Sequence, residues 1–176
     1  NVSELQAAIQ HGSIREIKSR LNKLGRLDDE TLIEPLKQLI EHKNDEIRES
    51  AVKNLGKFSE RSDLVETFQI VIENDLSSDV RREAVSSIGR QRREENIPFM
   101  QELLNDHDPL VVMQAIRGLL VFKAQEQVCE ALMKLREHKN EIVRHVIEIE
   151  LRDKSKDKIP KGSHASSPDY MKNTIV

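Results

Sequence analysis

The sequence predicts an all-α protein in which about four to five helix pairs stack as a right-handed α-solenoid. Apolar residues recur at a fixed step, since positions 33, 65, 97 and 129 are each 32 residues apart, and such a step is typical of repeat architectures. Aromatic residues make up only 3% of the chain, and tryptophan is absent. The resulting aliphatic core favours helix-on-helix packing over a β-sandwich. A length of 176 residues suits one domain.

The first helix of each pair, called the A helix, is indicated by three apolar columns that share this step. Within a unit the columns lie three residues apart, which places them on one helix face. The predicted A helices span residues 29–42, 62–75, 96–106 and 124–138. The columns are Ile33, Val65, Ile97 and Cys129; Leu36, Phe68, Met100 and Leu132; and Leu39, Val71, Leu103 and Leu135.

The second helix of each pair, the B helix, follows a short turn. The predicted B helices span residues 45–57, 78–91, 109–122 and 140–152. Small residues in the middle of three of them allow neighbouring helices to approach closely, and capping side chains stand just before their first turns. The small residues are Ala51, Ala84 and Ala115, and the capping residues are Asn44, Ser77 and Asp108.

The repeats also set the expected domain boundaries. We expect residues 1–152 to form the solenoid, with residues 1–25 as an irregular helix pair that caps its N-terminal end. Residues 153–168 are rich in Lys, Ser, Gly and Pro and are interpreted as a linker. Residues 169–176 are interpreted as the truncated start of a further domain. The segment 153–176 holds five Lys and three Asp, which gives it a charge of +2. Since the whole chain has a net charge of −3, residues 1–152 carry −5.

The motif D-x-x-V-R-x-x-A-V-x-x-L-G is approximated by residues 44–56 and 77–89. This pattern resembles the HEAT family, including the HEAT-like repeats related to phycobilisome lyases, and the resemblance covers residues 27–152. It implies a curved superhelix in which the B helices line the concave side. The third unit departs from the motif because it carries Val112 where the family has arginine.

The last ten residues, 167–176, resemble the lead-in to the catalytic domain of some prokaryotic amino-methyltransferases, which methylate cytosine or adenine in DNA. The similarity rests mainly on Asn173-Thr174-Ile175-Val176. It implies that the solenoid is an N-terminal arm of such an enzyme. None of the methyl-donor or catalytic motifs of those enzymes lies in this chain, so we predict that the chain itself is not an enzyme.

Three arginines, Arg48, Arg81 and Arg144, recur at one repeat position early in the B helices. One interpretation is a basic ladder for an anionic ligand. The other is that each arginine pairs with an acidic residue of a turn and clamps adjacent units, a use that suits the rigid, multi-donor guanidinium. The HEAT resemblance implies this second, structural role. The acidic partners expected from the sequence are Asp45, Asp79 and Glu141.

A second basic group lies at outward positions of the B helices and in the turn after one of them. On a concave wall these side chains could form a positive strip that contacts DNA phosphates. Acidic neighbours at Glu49, Glu83, Glu94 and Glu95 leave open the alternative of an ordinary solvated face. The scarcity of aromatic residues argues against base stacking and base flipping. The candidate surface comprises Lys53, Lys57, Arg82, Arg90, Arg92, Arg93 and Arg117.

No catalytic, cofactor or metal site is predicted. His42, His107 and His138 recur once per unit, about 10 Å apart in a helix stack, which is too far to share one ion. Cys129 falls in a core column, where a thiol behaves as a small apolar group. A single cysteine excludes an intrachain disulfide and suggests a reducing compartment, the cytoplasm. No apolar run is long enough to span a membrane.

These observations together predict a non-catalytic binding or scaffold module that carries no cofactor and binds a protein partner on its concave face. The alternative is an arm of a DNA amino-methyltransferase that contacts duplex DNA or docks a partner.

Overall fold

The protein is all α-helical over residues 2–25 and 29–152, which are the residues that the computed structural model describes. Ten α-helices follow one another in these two ranges, and no β-strand occurs among them. The predicted all-α solenoid is therefore confirmed. The helices are α1 (Val2–His11), α2 (Ile14–Lys23), α3 (Ile33–Ile40), α4 (Asp45–Leu55), α5 (Val65–Asn74), α6 (Ser78–Gln91), α7 (Ile97–Glu102), α8 (Pro109–Leu119), α9 (Glu126–Lys134) and α10 (Glu141–Glu150).

The odd-numbered helices are the A helices, and three of them begin with a short 3-10 turn that the sequence pattern did not separate from the helix. These turns span Glu30–Leu32, Ser62–Leu64 and Glu94–Asn96. The predicted pairs at residues 29–152 therefore appear at the expected places, although the regular part of each A helix is shorter than predicted. The predicted linker and the amino-methyltransferase-like segment lie outside the described residues.

Side-chain caps begin most of the B helices. The Asn44 side chain accepts a hydrogen bond from the backbone N–H of Ile47 at 3.1 Å, and Asp108 accepts one from Leu110 at 2.9 Å. Ser77 is different, because its side chain makes no capping bond and its backbone N–H donates to Asp75. Free N–H groups at a helix start otherwise lack partners, so these bonds fix where α4 and α8 begin.

One continuous core runs through all five pairs, from Leu5 to Ile147. The A-helix columns contribute as predicted, with two corrections: Cys129 and Val65 are only half-buried. Val128 is fully buried instead, because α9 presents residues 128 and 132 to the core, one helical turn apart on the same face. The expectation that the Cys129 thiol is a core group was therefore wrong.

The B helices form a closely packed layer in which α4 lies between α2 and α6, and α6 contacts α8. Ala51, Ala84 and Ala115 are fully buried in this layer. A Cβ atom added to Gly89 would lie 3.4 Å from the Cα of Gly118, so α6 and α8 touch through their backbones at this point. The two glycines thus stand where the C-terminal ends of neighbouring B helices come close together.

Candidate functional site

Arg48 joins the α3–α4 pair to the next one. Its guanidinium donates to both carboxylate oxygens of Asp75, at 2.8 and 2.9 Å, and also to the backbone carbonyls of His42 and Lys43. Asp75 stands just after α5, so the bond crosses from one unit to its neighbour. A bidentate pair of this kind fixes both distance and orientation.

Arg81 repeats this arrangement one unit further along. It donates to Asp106 at 2.5 and 3.3 Å and to the carbonyl of Ile72 at 2.7 Å. Both charged side chains are about nine-tenths buried. Arg144, in the last pair, donates to the carbonyls of His138 and Lys139 in its own turn. Arg48 and Arg81 are therefore engaged between units and are not free for an anionic ligand.

The acidic partners expected from the sequence were wrong. Asp79 pairs with Arg82 at 3.1 Å, and Asp45 accepts the backbone N–H of Glu46. The arginines point along the stack towards the next unit, and Glu141 is not among the partners of Arg144 in the described residues. The true acceptors, Asp75 and Asp106, lie at the end of the following A helix.

A signal for these acceptors is present in the sequence. The position after the A helix reads His42, Asp75, Asp106 and His138 along the four repeats. Each aspartate follows a unit that has the arginine. His138 follows the unit that has Val112 instead, so acceptor and donor are lost together.

The Asp75 carboxyl group shows how strongly this clamp is held. Burial raises its pKa, but the hydrogen bonds from Arg48 and from the backbone N–H of Ser77 outweigh burial and hold the pKa below that of an ordinary aspartate. The same Arg48 bond, against the opposing effect of burial, raises the pKa of the arginine. Asp75 is thus ionised at neutral pH, as an ion pair between units requires.

The predicted basic surface is partly assembled in a groove of about 840 Å³ across the C-terminal ends of α4, α6 and α8. Four of the seven predicted cations line it, whereas Lys53, Arg82 and Arg93 do not. Among the described residues, no Asp or Glu lines the groove. The lining consists of Gly56, Lys57, Ser59, Ser86, Gly89, Arg90, Arg92, Gln114, Arg117, Gly118, Leu120 and Val121.

Lys57 has a structural task in this groove. Its ammonium group donates to the carbonyls of Leu24 and Gly25, at 2.8 and 3.0 Å, and to the Oδ1 of Asn54 at 2.8 Å. It therefore bonds two carbonyls of the segment that directly follows α2. Burial lowers the pKa of Lys57, and the nearby charges of Lys53 and Arg90 lower it further, which indicates a positive local potential.

Other cations of the predicted surface are also held by hydrogen bonds or ion pairs within the protein. Arg90 donates to Glu83, Ser86 and Ser87, and Arg93 donates to the carbonyl of Glu60. Arg82 forms its ion pair with Asp79. Within the described part of the chain this leaves Lys53, Arg92 and Arg117 as the candidate cations that bond neither a carboxylate nor a backbone carbonyl, and Arg117 has only the Oε1 of Gln114 as an acceptor.

Arg92 holds an unusual backbone conformation. It ends α6 with φ 50° and ψ 43°, and it is the one non-glycine residue with positive φ in the described ranges. A left-handed conformation costs an L-residue about 1–2 kcal/mol, and glycine is the usual choice there. The strained backbone directs an arginine into the groove, which is a pattern found at functional sites.

We expect Arg92→Gly to raise the free energy of unfolding by about 1 kcal/mol, because glycine removes the left-handed strain. Urea unfolding of the variant and the parent chain measures the change. Lys123→Gly is the matched control, since Lys123 is an exposed helix-end residue with φ −61° and should lose stability instead. An unchanged or lowered stability for Arg92→Gly would show that the conformation carries no strain.

The remaining candidates have local roles. The Nδ1 atoms of His42 and His138 accept the backbone N–H groups of Asn44 and Asn140 at 3.0 Å. No group of three or more metal-ligating side chains converges in the described residues. Over the same residues, no helix combines the length and apolar character that a bilayer crossing requires.

Comparison with known families agrees with the repeat geometry. A family model described as HEAT repeats matches residues 65–152, which is half of the chain, and a second, described as HEAT repeat, matches residues 32–62. No curated protein matches the chain. Neither description names phycobilisome lyases or methyltransferases, so those two resemblances stay predictions. The stacked pairs, the ion pairs between units and these matches together show that the chain belongs to the HEAT-repeat family.

Proposed function

We propose that this chain is a protein-interaction scaffold whose B-helix groove binds an acidic segment of a partner protein. The lining of the groove carries the proposal, because its described residues include four cations and no carboxylate. HEAT repeats serve as protein-interaction modules, and stacked repeats offer extended surfaces of this kind. A local excess of positive charge favours association with acidic segments and excludes basic ones.

The B layer is proposed as the concave side of the array. Support comes from the close approach of Gly89 and Gly118 and from the full burial of the three mid-helix alanines. Helices packed through small residues stand closer together than helices packed through Leu or Ile. A stack that is tighter on its B side bends towards that side, and the groove then lies on the inner wall.

The lining favours a protein segment over a nucleic acid. Beside the cations it presents glycine backbone together with Leu120 and Val121, and Val121 is half-exposed. Apolar contact area of this kind suits side chains, whereas a phosphate backbone requires mainly cations and polar donors. The net charge of −3 also works against long-range attraction of DNA.

The alternative proposal is a DNA-contacting or docking arm of a DNA amino-methyltransferase. It rests on residues 167–176, which lie outside the described residues, and on the cations that bond neither a carboxylate nor a backbone carbonyl. Lys53, Arg92 and Arg117 are the side chains that could reach phosphates, since Lys57 and Arg90 are held by internal hydrogen bonds. Duplex binding through them would be strongly salt-dependent.

Charge reversal tests the proposed groove together with Lys53, which does not line the groove but whose charge acts on the lining residue Lys57. We expect Lys53→Glu, Arg92→Glu and Arg117→Glu, combined in the full chain, to weaken binding of a fluorescein-labelled peptide of alternating Glu and Ser by at least about tenfold. Fluorescence anisotropy at low and at physiological salt measures the affinity. The matched control reverses Lys43, Lys134 and Arg136, which are exposed on the A helices and their turns, and should leave the affinity within about twofold of the parent.

A short labelled DNA duplex is titrated in parallel. If the peptide fails to bind the parent chain, the proposal that the groove binds an acidic segment is wrong. Duplex binding that depends on the same three cations would then establish the alternative. Equal losses in the groove and control variants would show that only net charge matters.

A further inference from the structure

The last B helix carries an exposed apolar stripe that the fold does not use. Ile142 and Ile149 on α10 are 65% and 50% exposed, and Val146 between them is half-buried. Positions 142, 146 and 149 share one helix face. In the first two units the matching positions hold Glu46, Ser50 and Lys53, then Asp79, Glu83 and Ser86.

The stripe continues the side of the B layer on which the groove lies. Gln114 and Arg117 line the groove on α8, and 32 residues later the corresponding residues are Val146 and Ile149. The third unit exposes both apolar and basic side chains on this side, namely Leu110, Val121 and Arg117. The cations of this surface thus lie at the C-terminal ends of α4, α6 and α8, and exposed apolar residues begin on α8 and dominate on α10.

Stacking of a further repeat does not explain these apolar residues. The positions that pack within the array are Val52, Val85 and Ile116 in the B helices, and the last unit has the exposed Glu148 there. In the A helices, Ile40, Ile72 and Leu104 are followed by the exposed Arg136. In the last described unit the stacking positions are thus polar, and the apolar stripe lies on a different side of the unit.

We propose that the groove and the α10 stripe form one binding surface for an acidic amphipathic segment of a partner protein. Its carboxylates lie over Lys53, Arg92 and Arg117, and its apolar side chains lie over Ile142, Val146 and Ile149. The proposal rests on the proposed function of the groove and names the partner more closely. Apolar anchors supply most of the affinity in helix-in-groove recognition, and charges set orientation.

The geometry also bounds the length of this segment. Four B helices, α4 to α10, are separated by three helix-to-helix steps, which span roughly 30 Å at the usual spacing. A helical partner needs about 20 residues to cover that distance, and an extended one needs about nine.

Selection from a random peptide library tests the proposal. A displayed library of peptides of about 20 residues is selected against the full chain. We expect enriched peptides to cluster Asp and Glu in one part and Leu, Ile or Phe in another. We expect Ile142→Ser combined with Ile149→Ser to weaken the enriched peptides by at least about tenfold, while binding of the peptide of alternating Glu and Ser is unchanged.

The matched control is Ile70→Ser, which removes an isoleucine of 53% exposure from the A helix α5 and should leave every affinity unchanged. Circular dichroism confirms that each variant is folded. If acidic peptides bind but the apolar half adds no affinity, or if Ile142→Ser with Ile149→Ser binds as well as the parent, the two-part surface is refuted and the groove proposal stands. If no acidic peptide binds, both proposals fall.

Discussion

Replacing Arg81 with alanine is expected to lower the free energy of unfolding by about 3–5 kcal/mol, because it leaves the buried Asp106 carboxylate without its partner. The substitution also removes the hydrogen bond that the guanidinium donates to the carbonyl of Ile72. A buried backbone acceptor near the end of α5 is then left unsatisfied. Urea unfolding followed by circular dichroism measures the change.

Arg82→Ala is the matched control, since it removes the same side chain type from the next position of α6. Arg82 makes an ion pair with Asp79 in which both groups are more than one-third exposed. Exposed pairs of this kind contribute about 0–1 kcal/mol. Similar losses for Arg81→Ala and Arg82→Ala would mean that the bond between units is no stronger than a surface ion pair.

Phe68→Ala is expected to lower the free energy of unfolding by about 3–5 kcal/mol, the usual cost of removing a fully buried aromatic ring. Phe68 is 1% exposed and is among the largest fully buried side chains of the described chain. Because it sits in the middle of one continuous core, the loss should spread beyond the α5–α6 pair. Chemical denaturation gives the magnitude, and hydrogen exchange shows which helices open.

The control for this substitution lies two residues away on the same helix. Ile70 is 53% exposed, so Ile70→Ala should change the stability by less than about 0.5 kcal/mol. If Phe68→Ala loosened only α5 and α6 and left the other pairs fully protected, the units would unfold independently of one another. That outcome would contradict a shared core.

The periodicity of the chain was sufficient to predict the fold. Apolar columns fix which face of each helix is buried, and the turns with Asn44 and Asp108 fix where two B helices begin. The same columns misplaced Cys129, because a column gives the helix face only to within one residue. The sequence did not separate the 3-10 turns from the helices that follow them, since both carry the same apolar pattern.

The candidate site was harder to predict for a physical reason. The sequence identifies which cations lie on the B helices, but it does not say which acceptors reach them. Lys57 is held by carbonyls of residues 24 and 25. Because every residue has a backbone carbonyl, the sequence does not show which carbonyls accept these bonds. Arg92 was selected for its charge alone, and only the backbone geometry shows that its placement is strained.

The joint between the last two units lacks the ionic clamp of the earlier ones. Val112 and His138 stand where Arg81 and Asp106 hold the preceding joint, and α10 packs less extensively on α8 than α8 does on α6. Apolar contacts resist separation but tolerate sliding, whereas a bidentate ion pair fixes an angle. We therefore expect the joint between the last two described units to bend more easily than the two clamped joints before it. For a ligand bound as proposed above, this predicts that the α9–α10 pair adjusts its angle while the middle pairs stay fixed.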